Sequence, residues 1–161
     1  MFWETLRPVF QWSFRTGIGV WIRDSTWAFA YIEVFHLFGL TILLGAIFVM
    51  SFRLAGLIMP KRPVAELARE FSPWTTAGLA MVLISGALLF AGEAMKAYDS
   101  QPFRVKAVLL AVAIVFHFTL YRGVTQAPEG RVSPLACKLT AGLALTLWFG
   151  VGIAGRAIGF F

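Results

Sequence analysis

The chain has 161 residues, 59% of them hydrophobic and 16% aromatic, whereas a soluble domain is nearer ~45–50% apolar. The excess falls in blocks, which excludes an ordinary soluble fold and predicts a single all-α membrane domain without a separate soluble unit. The net charge of +6 comes from basic residues lying mostly between the blocks, a pattern suited to phosphate headgroups and unlike the continuous basic face that nucleic acid requires.

Residues 1–22 come first. Glu4, Arg7, Gln11 and Arg15 fall on one helical stripe, and Phe2, Trp3, Leu6, Phe10 and Phe14 fall opposite. A Trp- and Arg-rich stripe of this kind predicts an interfacial amphipathic helix lying on the bilayer. Pro8 predicts a kink or a late start, and Gly17 and Gly19 a break. The start Met1-Phe-Trp-Glu lacks a basic region leading into a short apolar run and cleavage site, so insertion is expected through the chain's own spans.

Span one is expected at about 26–51, longer than the ~20 residues that cross a bilayer. Gly39 and Gly45 are small sites where a neighbouring helix or a flat ligand can approach. The connector holds Arg53, Pro60, Lys61, Arg62 and Pro63, then a short amphipathic turn, AELAREF. Ser72-Pro73 reads as an N-cap followed by proline at the first helical position, placing span two at about 74–95.

The turn KAYDSQPF is short, which predicts that spans two and three are antiparallel neighbours. Span three is expected at about 103–121, with Lys106, His117 and Tyr121 sharing a face because eleven residues make about three turns. Ser133-Pro134 opens span four, about 136–155, and the chain closes on Arg156 and Phe160-Phe161. The expected fold is therefore a polytopic four-transmembrane-helix bundle. Lys and Arg divide evenly between its two sides, so their distribution does not orient it. Small-residue faces on spans two and four permit a homo-oligomer.

The single cysteine, Cys137, excludes an intrachain disulfide and any thiolate cluster. Chemistry falls instead to the ionisable groups inside the spans, which cost at least ~2.5–3.5 kcal/mol each if they face lipid. The chain's two histidines, His36 and His117, sit on spans one and three, which run in the same direction. Neutral imidazole is a good axial ligand for haem iron, and a four-helix bundle is a common housing. The expectation is one b-type haem (haem b) clamped between them, with Glu33, Lys106 and Tyr121 in support. His36 lies about ten residues into its span and His117 about fourteen, a depth mismatch of ~6 Å. The alternative is a non-haem metal or ion site, or a transporter subunit, built on Glu33, His36 and Glu93, whose oxygens and nitrogen suit zinc, manganese or iron. A third is an accessory subunit in which Glu93–Lys106 or Glu33–Arg23 pairs neutralise charge and both histidines only pack.

The runs IEVFHLFGLTILLGAIFVMSFRLAGL, FSPWTTAGLAMVLISGALLFAGEAMKAY and QPFRVKAVLL resemble a widespread bacterial family of small four-span membrane proteins of uncharacterised function. Matching positions are Glu33, His36, Gly45, Arg53-Leu54, Gly56, Pro73-Trp74, Glu93-Ala94, Phe103 and Lys106, across about residues 20–120. The family's usual Asp before the Arg is Phe52 here, so any role of that acid does not carry over. More distantly, the layout is similar to the haem-containing membrane protoporphyrinogen oxidase and to the copper-resistance D membrane domain. Both have a histidine early in one helix followed by glycine, and the first also has a basic residue entering a helix with a second histidine, as Lys106 and His117 are placed. The family resemblance transfers no activity, and the distant likeness favours haem over a bare metal. The two intramembrane histidines, with acid, Lys and Tyr on their faces, give the expected role: electron transfer with a quinone or a redox partner protein in the bacterial inner (cytoplasmic) membrane.

Overall fold

The computed structural model describes residues 2–128 and 130–160; the side chain of Phe2, expected on the apolar stripe, and the terminal Phe161 lie outside them. Among the described residues every regular element is helical. The order is α1 (Phe2–Arg15), α2 (Gly17–Asp24), α3 (Ala28–Leu54), α4 (Val64–Asp99), α5 (Gln101–Phe116), a π-helical turn His117–Tyr121, α6 (Arg122–Thr125) and α7 (Pro134–Ala157). Four stretches are long and apolar enough to cross a membrane: α3, α4, the continuous Gln101–Thr125, and α7.

The expected N-terminal helix is two helices. Pro8 is absorbed within α1, and the break comes at Thr16, whose hydroxyl caps Gly19 N–H at 3.2 Å. Glycine is required at position 19, since a Cβ there would sit 2.6 Å from the Ala91 carbonyl of α4. α4 itself bends at Glu93 (φ −124°, ψ 31°). A bend frees carbonyls from the helical ladder, and the Arg23 guanidinium donates to those of Ala91 (3.4 Å) and Gly92 (3.3 Å), and to Phe14 at 2.7 Å.

Span two does not begin at Ser72-Pro73. α4 starts at Val64 and runs through Pro73. The AELAREF turn already has helical periodicity, with Leu67 and Ala68 buried, and Pro73 falls on the exposed side. The second Ser-Pro start is as expected: Ser133 accepts from Ala136 N–H at 3.3 Å. Ser100 does the same for α5, accepting from Phe103 N–H at 3.3 Å.

Packing departs from the short-turn expectation. α4 and α5 are joined by Ser100 alone yet touch little; α4 packs on α3, α3 on α7, and α7 on α5. Glycines decide this. A Cβ on Gly78 would lie 2.7 Å from Leu43 N, and one on Gly39 2.7 Å from Met81 Cβ, so α3 and α4 meet backbone to backbone. Gly150 and Gly155 of α7 similarly admit Leu109 and Lys106 from α5. Leu43, Ile47, Val82, Ala113, Phe116 and Trp148 belong to the central core, while Phe10 with Ala94 and Ala97 forms a satellite under α1. Outward faces stay apolar, with Tyr31, Val34, Phe38, Ile84, Val115 and Ile153 among the exposed side chains.

Candidate functional site

His36 leans from α3 onto α4. Its Nδ1 lies 2.9 Å from Ser85 Oγ, and its Cε1 approaches Gly86, where a Cβ would be 3.3 Å away. A serine hydroxyl has one proton to give, and Ser85 gives it back to the Met81 carbonyl of its own helix. Its oxygen is therefore the acceptor, and His36 Nδ1–H the donor. In a neutral imidazole this fixes the tautomer and leaves Nε2 with its lone pair. Holding one ring nitrogen so that the other is free is how proteins orient histidine ligands.

Lys106 stands near this ring. Its stem lies along α7, with Nζ 3.2 Å from where a Gly155 Cβ would be, and its ammonium acts electrostatically on His36. It has no ion pair or hydrogen bond among the described residues. The site thus joins an open imidazole nitrogen to an uncompensated cation. Glu33, one turn before His36, is exposed, and Glu93 is engaged by Lys96 at 3.3 Å across the α4 bend.

His117 lies elsewhere. It stacks on Tyr121 (5.3 Å between centroids, 25°) and meets Trp148 edge-on at 6.1 Å. Tyr121 Oη is 3.4 Å from Ser51 Oγ. The expected shared face of Lys106, His117 and Tyr121 is present to this extent: Lys106 and His117 both turn to α7. The π-helical turn begins at His117, and such turns frequently mark functional sites. His117 Nδ1 and Trp148 Nε1 are buried without a hydrogen-bond partner among the described residues. A cavity of about 50 Å³ lined by His117, Tyr121, Met50 and Thr75 adjoins the histidine. It has room for a few waters and falls far below the ~300 Å³ of a small-ligand pocket.

Two expectations are corrected. His36 and His117 are not brought together: His117 shares its cavity with Met50, fourteen residues beyond His36 and so about 21 Å further along α3. One iron cannot bridge that span, and the ~6 Å mismatch read from the sequence was an underestimate: α3 begins two residues later than expected, at Ala28, and the third long helix two residues earlier, at Gln101, each of which widens it. Nor do Glu33, His36 and Glu93 gather; no group of three or more metal-ligating side chains occurs among the described residues. The Glu93–Lys106 and Glu33–Arg23 pairs do not form either, since Lys96 takes Glu93 and Arg23 takes backbone carbonyls and the face of Phe14, 3.7 Å away. Ser85, the partner of His36, was visible in the sequence only as a small residue beside Gly86; a hydroxyl facing the one histidine of the adjacent span was the available signal.

No curated protein and no solved structure matches the chain. The family described as "Family of unknown function (DUF6644)" matches residues 9–161. With nearly its whole length matched, the chain belongs to this family of unknown function.

Proposed function

We propose that the four long helices span a bilayer and that His36 Nε2 is the protein's axial ligand to a b-type haem serving electron transfer. The bilayer reading rests on the four apolar stretches and on the apolar side chains they turn outward. It is also supported by exposed tryptophans at the two ends, Trp12, Trp21 and Trp27 at one and Trp74 at the other.

The single observation carrying the haem reading is the Ser85–His36 hydrogen bond, which pre-sets the tautomer a metal needs. Lys106 decides between the sharper alternatives. A bare divalent ion at His36 would face a cation with no clustered carboxylate to offset it. Haem would bring four nitrogens and two propionates of its own, so that one imidazole to ligate it and one ammonium, Lys106, to offset its negative charge would suffice. When bound, the group supplies reversible one-electron chemistry. Ser85 keeps the ring oriented, Gly86 lets the ring lie close against α4, and exposed Phe35 and Phe38 on α3 offer apolar surface. A membrane quinol is the donor that fits this position, with a protein acceptor. His117, stacked and tied to its small cavity, is a packing residue in this account.

Oxidised and dithionite-reduced absorption spectra of the purified chain, with iron analysis, test the proposal. The expected result is a Soret band that shifts on reduction. A purified protein with no Soret band and no iron would refute it.

A further inference from the structure

α4 has 36 residues, about 54 Å of helix against a hydrocarbon core of about 30 Å, so its first turns stand at headgroup level in a bilayer. There an open groove of about 680 Å³ separates α4 from the end of the third span, with Arg69, Ser72 and Thr76 on one side and Arg122 and Gln126 on the other. Neighbouring Arg62 is compensated: Glu66 at 2.9 Å and Glu70 at 2.6 Å hold it, and the Glu70 hydrogen bond, followed by that of Glu66, raises its pKa above the ordinary guanidinium value. Arg69 and Arg122 have no ion pair or hydrogen bond of their side chains among the described residues. Toward the bilayer centre the groove continues over Ala77 and Ala80. Because α4 and α5 touch little, that small-residue furrow is not filled by a packed helix.

Two unpaired guanidiniums beside two hydroxyls, opening onto an apolar furrow, match a phosphodiester with an acyl chain. We propose that this groove is a resident site for one anionic phospholipid, its phosphate between Arg69 and Arg122 and one chain along Ala77 and Ala80. The proposal rests on the bilayer reading and is independent of haem.

The test is lipid retention by the full chain purified in detergent from membranes, read by native mass spectrometry. It is repeated after reconstitution into phosphatidylcholine vesicles doped with phosphatidylglycerol. Wild type is expected to keep phosphatidylglycerol, and Arg69→Gln with Arg122→Gln to lose about thirtyfold in retention. Lys61→Gln, at the same end but outside the groove, is expected to behave as wild type. Arg69→Lys with Arg122→Lys keeps the charge and is expected to retain an intermediate amount, which serves if the Gln pair fails to fold. Equal retention by wild type and both double variants would overturn the proposal. So would phosphatidylcholine held as well as phosphatidylglycerol, or displacement of the lipid by inorganic phosphate. Alkaline extraction of the membranes runs alongside: release of the chain would refute the bilayer reading, whereas a membrane-embedded chain without lipid refutes this site alone.

Discussion

Ser85→Ala isolates the feature on which the site depends. Ser85 is 1% exposed, and its hydroxyl is the partner of His36 Nδ1. Its loss leaves the Met81 carbonyl in the helical ladder but strips the ring N–H of its acceptor. His36 is only half-buried, so the ring can move its proton to Nε2 or turn away from α4, and the folding cost should stay near ~1 kcal/mol. Ligand binding suffers more, because either escape spoils the free Nε2. Removing a group that orients a ligating histidine costs about 10–100-fold in affinity, or about 1.4–2.7 kcal/mol. The assay is titration of the cofactor-free protein with haem in detergent, followed at the Soret band. Ser51→Ala, a buried serine at the far end of α3 beside Tyr121, is expected to leave the affinity unchanged. A Ser85→Ala protein that binds haem as tightly as wild type would refute the tautomer argument.

The remaining predictions concern the frame around that site. Gly78→Ala places a methyl 2.7 Å from Leu43 N, backbone that cannot rotate away, and should cost about 1–3 kcal/mol in thermal or denaturant unfolding. Gly45→Ala meets nothing within 4 Å and should be neutral or stabilise by up to about 1 kcal/mol in the same assay; equal losses from both would contradict the described α3–α4 crossing. Arg23→Ala removes the donors at the α4 bend and should lower stability by about 1 kcal/mol, with faster amide exchange around residues 91–93. Glu70→Gln weakens one of two exposed carboxylate contacts to Arg62 and should leave the unfolding midpoint nearly unchanged, with any difference shrinking at high salt.

The four long apolar helices were legible because apolar runs of this length have few uses other than a helix. Ser133-Pro134 was legible because its serine caps the helix. Ser72-Pro73 presents the same dipeptide, but the residues before it already bury Leu67 and Ala68 on a helical face, and packing overrides the local start signal. Which spans pair was hidden for a related reason. A one-residue turn makes α4 and α5 consecutive, while the contacts at Gly39, Gly78, Gly150 and Gly155 that choose partners belong to tertiary structure. The site was half legible. Two histidines inside apolar helices stand out in any reading, but whether they meet depends on where each helix begins, and the starts at Ala28 and Gln101 set them further apart in depth than the apolar runs indicate. The Ser85–His36 bond depends on the crossing of two helices 49 positions apart in sequence, which no local pattern encodes.

The central claim is that His36, without His117, holds the haem. Haem content and Soret absorbance of His36→Ala and His117→Ala, each purified as the wild type is, test it most directly. The account predicts loss of haem in His36→Ala and retention of an unshifted Soret band in His117→Ala. Haem kept by His36→Ala, or lost equally from both, would contradict it.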